Sequence, residues 1–216
     1  MRKRDLAGRM VVALCFVILL CPVRLWAAAG PTESVKVSVD RMLVILKDAE
    51  LRKGAKTIER RAAMRKVVEE IFDFQEMGRR AVARYWFDKS PQQRAEFAQV
   101  FSELLWRAYV DILEKYENEQ VQFVGETVQQ DLAEVRTQVT TRAKTDVTLD
   151  YRLTQVDGKW RVYDVVVQGV SLVANYRSQF DRILMSKSWE DMIATLKGKQ
   201  SAAENHDLRK QRDSGI

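Results

Sequence analysis

The sequence predicts an α+β protein, with helices packed against one face of a curved antiparallel sheet of four strands. Apolar residues recur at helical spacing up to about residue 116, and at every second residue from about 121 to 167. Helical spacing then returns as far as Leu196. Helices and strands that are segregated along the chain in this way are typical of the α+β class.

Four helices are predicted before the strands. The first covers about Thr32 to Leu51, with apolar residues on one side, and Gly54 ends it. The second covers about Thr57 to Ile71, and the third begins at Phe72-Asp73-Phe74 and reaches Trp86.

The fourth helix has the clearest start. Ser90 is a suitable N-cap, Pro91 fits the first helical position, and Gln93 completes a capping box. A wide apolar face with many large side chains then continues to about Tyr116. This helix is expected to be long and to contribute much of the core.

The four predicted strands begin near Val121, Ala133, Val147 and Trp160. In the second and third, apolar residues alternate with polar ones, which indicates antiparallel strands with one solvated face. Asp157-Gly158 is a strong hairpin signal that joins the third strand to the fourth. The fourth strand, Trp160 to Val167, is apolar on both faces and is therefore predicted to be well buried.

Two helices are predicted after the sheet. Gly169 ends the fourth strand, and Ser171 can cap a helix that starts at Leu172. A last helix starts at Ser188, where Asp191 completes a second capping box.

Both ends of the chain are expected to lie outside the folded domain. Residues 1–29 combine basic residues, a short apolar run from Met10 to Val23, and Ala27-Ala28-Ala29, which is typical of a cleavable secretory signal. An uncleaved membrane anchor is the alternative. The expected organisation is a signal peptide over residues 1–29, a single domain over 30–199, and a disordered polar tail over 200–216.

Charge and composition exclude several functions. Residues 1–29 carry a net charge of +4 of the +6 for the whole chain, which leaves +2 for the rest. That charge is too small for a nucleic-acid-binding domain. Both cysteines, Cys15 and Cys21, fall within the signal, so the predicted domain must hold together without a disulfide.

Little catalytic chemistry is available. The only histidine, His206, is in the polar tail, which excludes the usual triads and zinc sites from the domain. There is no P-loop or dinucleotide motif, and we expect neither a cofactor nor an enzyme. Asp73, Asp150 and Asp164 stand among apolar residues; we interpret them as caps, turns or ion-pair partners, and a buried acid of the isomerase kind is the alternative.

The second helix carries a basic surface. Arg60, Arg61, Arg65 and Lys66 lie close together in sequence, near Glu69 and Glu70. A solvated, partly paired face is the simpler interpretation, and contact with anionic lipid headgroups or an acidic partner is the alternative.

Two stretches resemble a known family. Val162–Val167, Gly169–Val173 and Asn175–Phe180, together with Phe72-Asp73-Phe74 and Arg84-Tyr85-Trp86, closely resemble the MlaC family of periplasmic phospholipid carriers. The resemblance spans about Val35 to Leu196. It implies a cystatin-like, nuclear-transport-factor-like sheet wrapped by helices around an apolar cavity. It also implies three partners: a phospholipid ligand, an outer-membrane lipoprotein–porin complex, and an inner-membrane ABC transporter with an MCE-domain protein.

With this resemblance, the apolar residues of the sheet and the facing helices become candidate lipid ligands. From the sheet they are Val147, Leu149, Tyr151, Val165 and Val167; from the helices they are Phe97, Phe101, Leu104, Leu105, Leu172, Val173, Tyr176 and Phe180. We expect a monomeric periplasmic carrier. A hopanoid carrier, a periplasmic chaperone or adaptor without lipid, and an isomerase-like enzyme are the alternatives.

Overall fold

The computed structural model describes residues 29–116, 119–141 and 143–198. The predicted signal and tail, over residues 1–28 and 199–216, therefore lie outside the described residues. The described residues form six α-helices and one five-stranded antiparallel sheet with open edges, so the α+β class is confirmed.

The helices that precede the sheet follow the predicted order. They are α1 (Pro31–Lys47), α2 (Thr57–Ile71), α3 (Phe74–Val82) and α4 (Pro91–Glu114). Helix α1 is shorter than predicted, because the Asp48 side chain accepts hydrogen bonds from the backbone N–H groups of Glu50 and Leu51 and so forms a turn. The capping box of α4 is present as predicted, with Ser90 accepting from Gln93.

The strands follow one another as a simple meander. They are β1 (Gln120–Gln129), β2 (Leu132–Thr140), β3 (Asp146–Val156), β4 (Lys159–Val167) and β5 (Val170–Ser171), in that spatial order. Asp157 and Gly158 both have positive φ, as the predicted hairpin turn requires.

The prediction of four strands is wrong, because β5 pairs with β4 through Val166↔Ser171 and Val167↔Val170. Gln168 and Gly169 have φ values of 47° and 79°, so the chain reverses through a two-residue turn instead of simply leaving the sheet. Helix α5 (Leu172–Leu184) follows at once, capped by Ser171, and the last helix, α6, covers residues 189–198.

Buried residues fall into three clusters. The largest joins α3, α4, α5 and α6 and includes Tyr163 of β4. The second packs one face of the sheet against Val35 of α1 and Ile71 of α2. The third is small and joins α1, α2 and α4 around Met64. Helix α4 therefore contributes to the largest and the smallest cluster, whereas α1 packs against both the sheet and α4.

Candidate functional site

The five predicted sheet residues lie on one face, which we call the inner face. Antiparallel partners in register point to the same side of a sheet. Tyr151 pairs with both Val135 and Val165, and Leu149 pairs with Val167, while Val147 lies on the same side of β3 two residues from Leu149. The alternation of β3 and β4 thus places all five side chains together, as predicted.

The inner face is packed at one end only. Val135 and Leu153 are fully buried in the cluster with α1, and Tyr151 and Val165 are half-buried at its margin. Towards the β5 end, Val147 and Leu149 are half-buried and Val167 is 41% exposed, and none of the three belongs to a buried cluster. An apolar strip of the sheet therefore remains outside the buried clusters.

The eight predicted helix residues divide into two groups. Phe97, Phe101 and Phe180 are at most 2% exposed, and their ring centroids lie 5.5–5.7 Å apart. Leu105 and Val173 are buried in the same cluster. As placed, these five side chains fill the core and offer almost no surface to a ligand. Leu104, Leu172 and Tyr176 are instead half-buried at the margin of the cluster.

Sequence reasoning left out several side chains of the inner face, among them Phe123 and Val139. Phe123 pairs with Thr137, and Val139 pairs with both Val121 and Val147, so Phe123 and Val139 share the face of Leu149 and are half-buried. The alternating pattern of β2 was sufficient to identify Val139. Phe123 was harder to place, because a β-bulge between Phe123 and Gly125 changes the face to which the later residues of β1 point.

Tyr151 has an unusual environment for a phenol. Its side chain is half-buried, and burial raises the pKa of the phenol to about 12. The phenol is therefore neutral at physiological pH and can donate a hydrogen bond.

Two of the four basic side chains of α2 form ion pairs. Arg61 contacts Asp111 and Glu114 of α4 at 2.8 Å each, and Arg65 contacts Glu69 at 2.8 Å and Glu103 of α4 at 2.5 Å. The paired interpretation is thus confirmed for these two arginines, although the acids come mainly from α4.

Glu103 is the centre of this charge network. It also accepts from Arg107 at 2.6 Å. Burial disfavours its charged form, but the hydrogen bonds from the two guanidinium groups outweigh burial and lower the pKa of this carboxyl.

Two of the three aspartates singled out above have structural roles. Asp73 caps α3 by accepting from the Glu76 N–H at 2.9 Å. Asp164, only 3% exposed, accepts from the Val173 N–H at 3.0 Å and from the Ser171 hydroxyl at 2.6 Å, and Arg152 lies 3.3 Å away. Asp164 thereby fixes the first turn of α5 to β4.

Asp150 lies on the other face of the sheet, in register with Arg136 and Val166. Among residues 29–116, 119–141 and 143–198, no group of three acidic, histidine or cysteine side chains is arranged to hold a metal ion. Each helix in that same part of the chain is too short or too polar to cross a bilayer.

Two clefts on the surface of the described residues lie away from the predicted site residues. One, of about 320 Å³, lies between the end of α3 and α5 and is lined by Ala81, Val82, Ala83, Arg84, Arg177, Ser178 and Asp181. The other, of about 230 Å³, lies near the start of α3 and contains Trp86 and Arg94. Neither is lined by a predicted site residue, so the apolar cavity stays a prediction.

Comparison with known proteins gives consistent results. The family described as MlaC protein matches residues 36–198. The intermembrane phospholipid transport system binding protein MlaC of Haemophilus influenzae is 26% identical over 132 residues, which cover 59% of this chain and 61% of that protein. The structure of a phospholipid-binding protein from Ralstonia solanacearum, in complex with a phospholipid, superposes with a TM-score of 0.70. The two sequences are 27% identical, and the superposition covers 81% of this chain and 98% of the Ralstonia solanacearum chain.

Proposed function

Because this chain belongs to the MlaC family, we propose that it is a periplasmic lipid carrier that holds the acyl chains of a phospholipid against the inner face of its sheet. The observation that carries the proposal is the similarity in fold to a protein with a bound phospholipid, over nearly the whole of that protein. The strip of half-buried apolar side chains supports it, because such surface is unfavourable in water unless something covers it.

The walls of the binding site, in this proposal, are the half-buried members of the predicted set. Leu149, Val165 and their neighbours form one wall, and Leu104, Leu172 and Tyr176 form the other. Tyr176 also packs against Phe101 and Phe180, with ring centroids 5.2 and 5.8 Å apart, so this wall is continuous with the buried aromatic cluster. Each methylene group removed from water stabilises the bound state by about 0.8 kcal/mol.

An acyl chain in a membrane is stabilised by the same free energy, because the bilayer also removes its methylene groups from water. A carrier must therefore bind lipid about as well as a bilayer does, and its partners must shift the balance between loading and release. We propose that these partners are an outer-membrane lipoprotein–porin complex and an inner-membrane ABC transporter with an MCE-domain protein. The chain has no P-loop, so any input of energy comes from the transporter.

Mass spectrometry of an organic extract tests the proposal directly. The protein without residues 1–29 is purified in the absence of detergent and extracted. We expect a phospholipid in about equimolar amount. A hopanoid in its place would favour the related hopanoid carriers, and a stable protein without lipid would favour a chaperone or adaptor and contradict the proposal.

Two neighbouring substitutions test the position of the site. Leu149→Trp adds bulk to the inner face, so we expect the amount of co-purified phospholipid to fall by more than half. Thr148→Trp is the matched control, because Thr148 is exposed and the adjacent residue of a strand points to the other face. Equal lipid content in the two variants would contradict the proposed wall.

A further inference from the structure

Tyr151 is the one polar side chain among the predicted sheet residues of the inner face. It lies in the middle of β3, and its partners in register are the apolar residues Val135 and Val165. Thr137, on the same face, is also polar, but its hydroxyl donates to the Leu149 carbonyl. A wall that only covered hydrocarbon would gain nothing from a hydroxyl at this position.

Two other tyrosine hydroxyls form hydrogen bonds within the protein. The hydroxyl of Tyr116 donates to the Glu119 carbonyl at 2.6 Å, and that of Tyr85 lies 3.3 Å from the Asp181 carboxylate. The hydroxyl of Tyr151 has no hydrogen-bond partner within residues 29–116, 119–141 and 143–198.

This hydroxyl is nevertheless not sealed in by protein. The buried polar side-chain atoms without a partner in the described part of the chain are Arg60 Nε, Arg161 Nε and Trp189 Nε1. The Tyr151 oxygen is not among them, so it retains accessible surface although protein surrounds the ring. The donor is therefore available to a ligand that lies against the inner face.

A desolvated donor is stabilised by an acceptor, and a diacyl phospholipid carries two ester carbonyl oxygens between its tails and its headgroup. We propose that the Tyr151 hydroxyl donates a hydrogen bond to an ester carbonyl oxygen of the bound lipid. Tyr151 is then a specificity-determining residue that favours ester-linked lipids over lipids of similar shape without an ester. This inference rests on the proposed function.

The selectivity arises because a buried donor without an acceptor costs more free energy than a hydrogen bond gains. A site built to pair with a polar group of its ligand discriminates against an analogue that leaves its own polar group unpaired. An ether-linked phospholipid with the same chains and headgroup lacks only the carbonyls, so it isolates this contact. A hopanoid hydrocarbon skeleton lacks them too.

The experiment is a competition between two phospholipids. The protein is incubated with vesicles that contain equal amounts of diester and diether phosphatidylethanolamine of identical chain length, and the lipid it retains is quantified by mass spectrometry. We expect the wild type to favour the ester about threefold to tenfold, as one net hydrogen bond implies. Tyr151→Phe keeps the ring and should lower the ratio to about one.

Tyr116→Phe is the matched control, because its hydroxyl already bonds within the chain, and it should keep the wild-type ratio. Thermal unfolding of each variant verifies that it is folded. A wild type that takes up both lipids equally, or a Tyr151→Phe variant that keeps the preference, would overturn the inference but not the proposed function. A wild type that takes up neither lipid and that also co-purifies with none would overturn both.

Discussion

Replacing Asp164 with alanine tests whether one buried carboxylate holds α5 against the sheet. The side chain is 3% exposed and makes three contacts, to the Val173 N–H, the Ser171 hydroxyl and Arg152. Loss of the charge-assisted bond to Val173 costs about 2 kcal/mol and leaves a buried N–H unpaired, and the Ser171 bond contributes about 1 kcal/mol. Because Arg152 is 41% exposed, its ion pair adds less than about 1 kcal/mol.

The expected loss is thus about 3–4 kcal/mol in the free energy of unfolding, or roughly 10 °C in Tm for a domain of this size. Urea unfolding followed by circular dichroism measures it, and hydrogen exchange should show faster exchange in the first turn of α5. Asp150→Asn is the control, because Asp150 lies on the same face of the sheet as Asp164, in register with Val166, and should change stability by less than about 0.5 kcal/mol. An Asp164→Ala variant that unfolds within about 2 °C of the wild type would refute this account.

Two further predictions concern the backbone and the charge network. Ala83 has φ 47° and ψ −115°, a conformation that suits glycine. Ala83→Gly should therefore stabilise the protein by about 1 kcal/mol, as measured by thermal unfolding. Ala81→Gly, inside α3, is the control and should destabilise the protein. The lowered pKa of Glu103 means that its stabilising effect is present above the pKa of an unfolded glutamate and is lost as the pH falls through the folded value. Glu103→Gln should therefore lower the urea midpoint at pH 7 but not in strong acid, and an equal loss at both pH values would contradict the ion-pair explanation.

The local features of the fold were readable from the sequence because each depends on residues close together in the chain. The Ser90 capping box, the Asp157-Gly158 turn and the Ser171 cap are formed by neighbours within three residues, and all three are present. The resemblance carried by Val162–Phe180 was likewise confirmed by the family match. The fifth strand was missed because two residues are too few to show a period.

The sequence by itself determined the class of elements, their order, and which side chains are apolar. Only the tertiary structure decided which of those side chains pack completely and which remain half-buried. Phe101 and Leu104 are both apolar residues of α4, yet one is fully buried among aromatic rings and the other lies at the edge of that cluster. Likewise, Tyr151 reads as an ordinary strand residue until the sheet register sets it between Val135 and Val165. The physical reason is that periodicity reports which side of an element is apolar, whereas exposure depends on how closely elements distant in the chain approach one another.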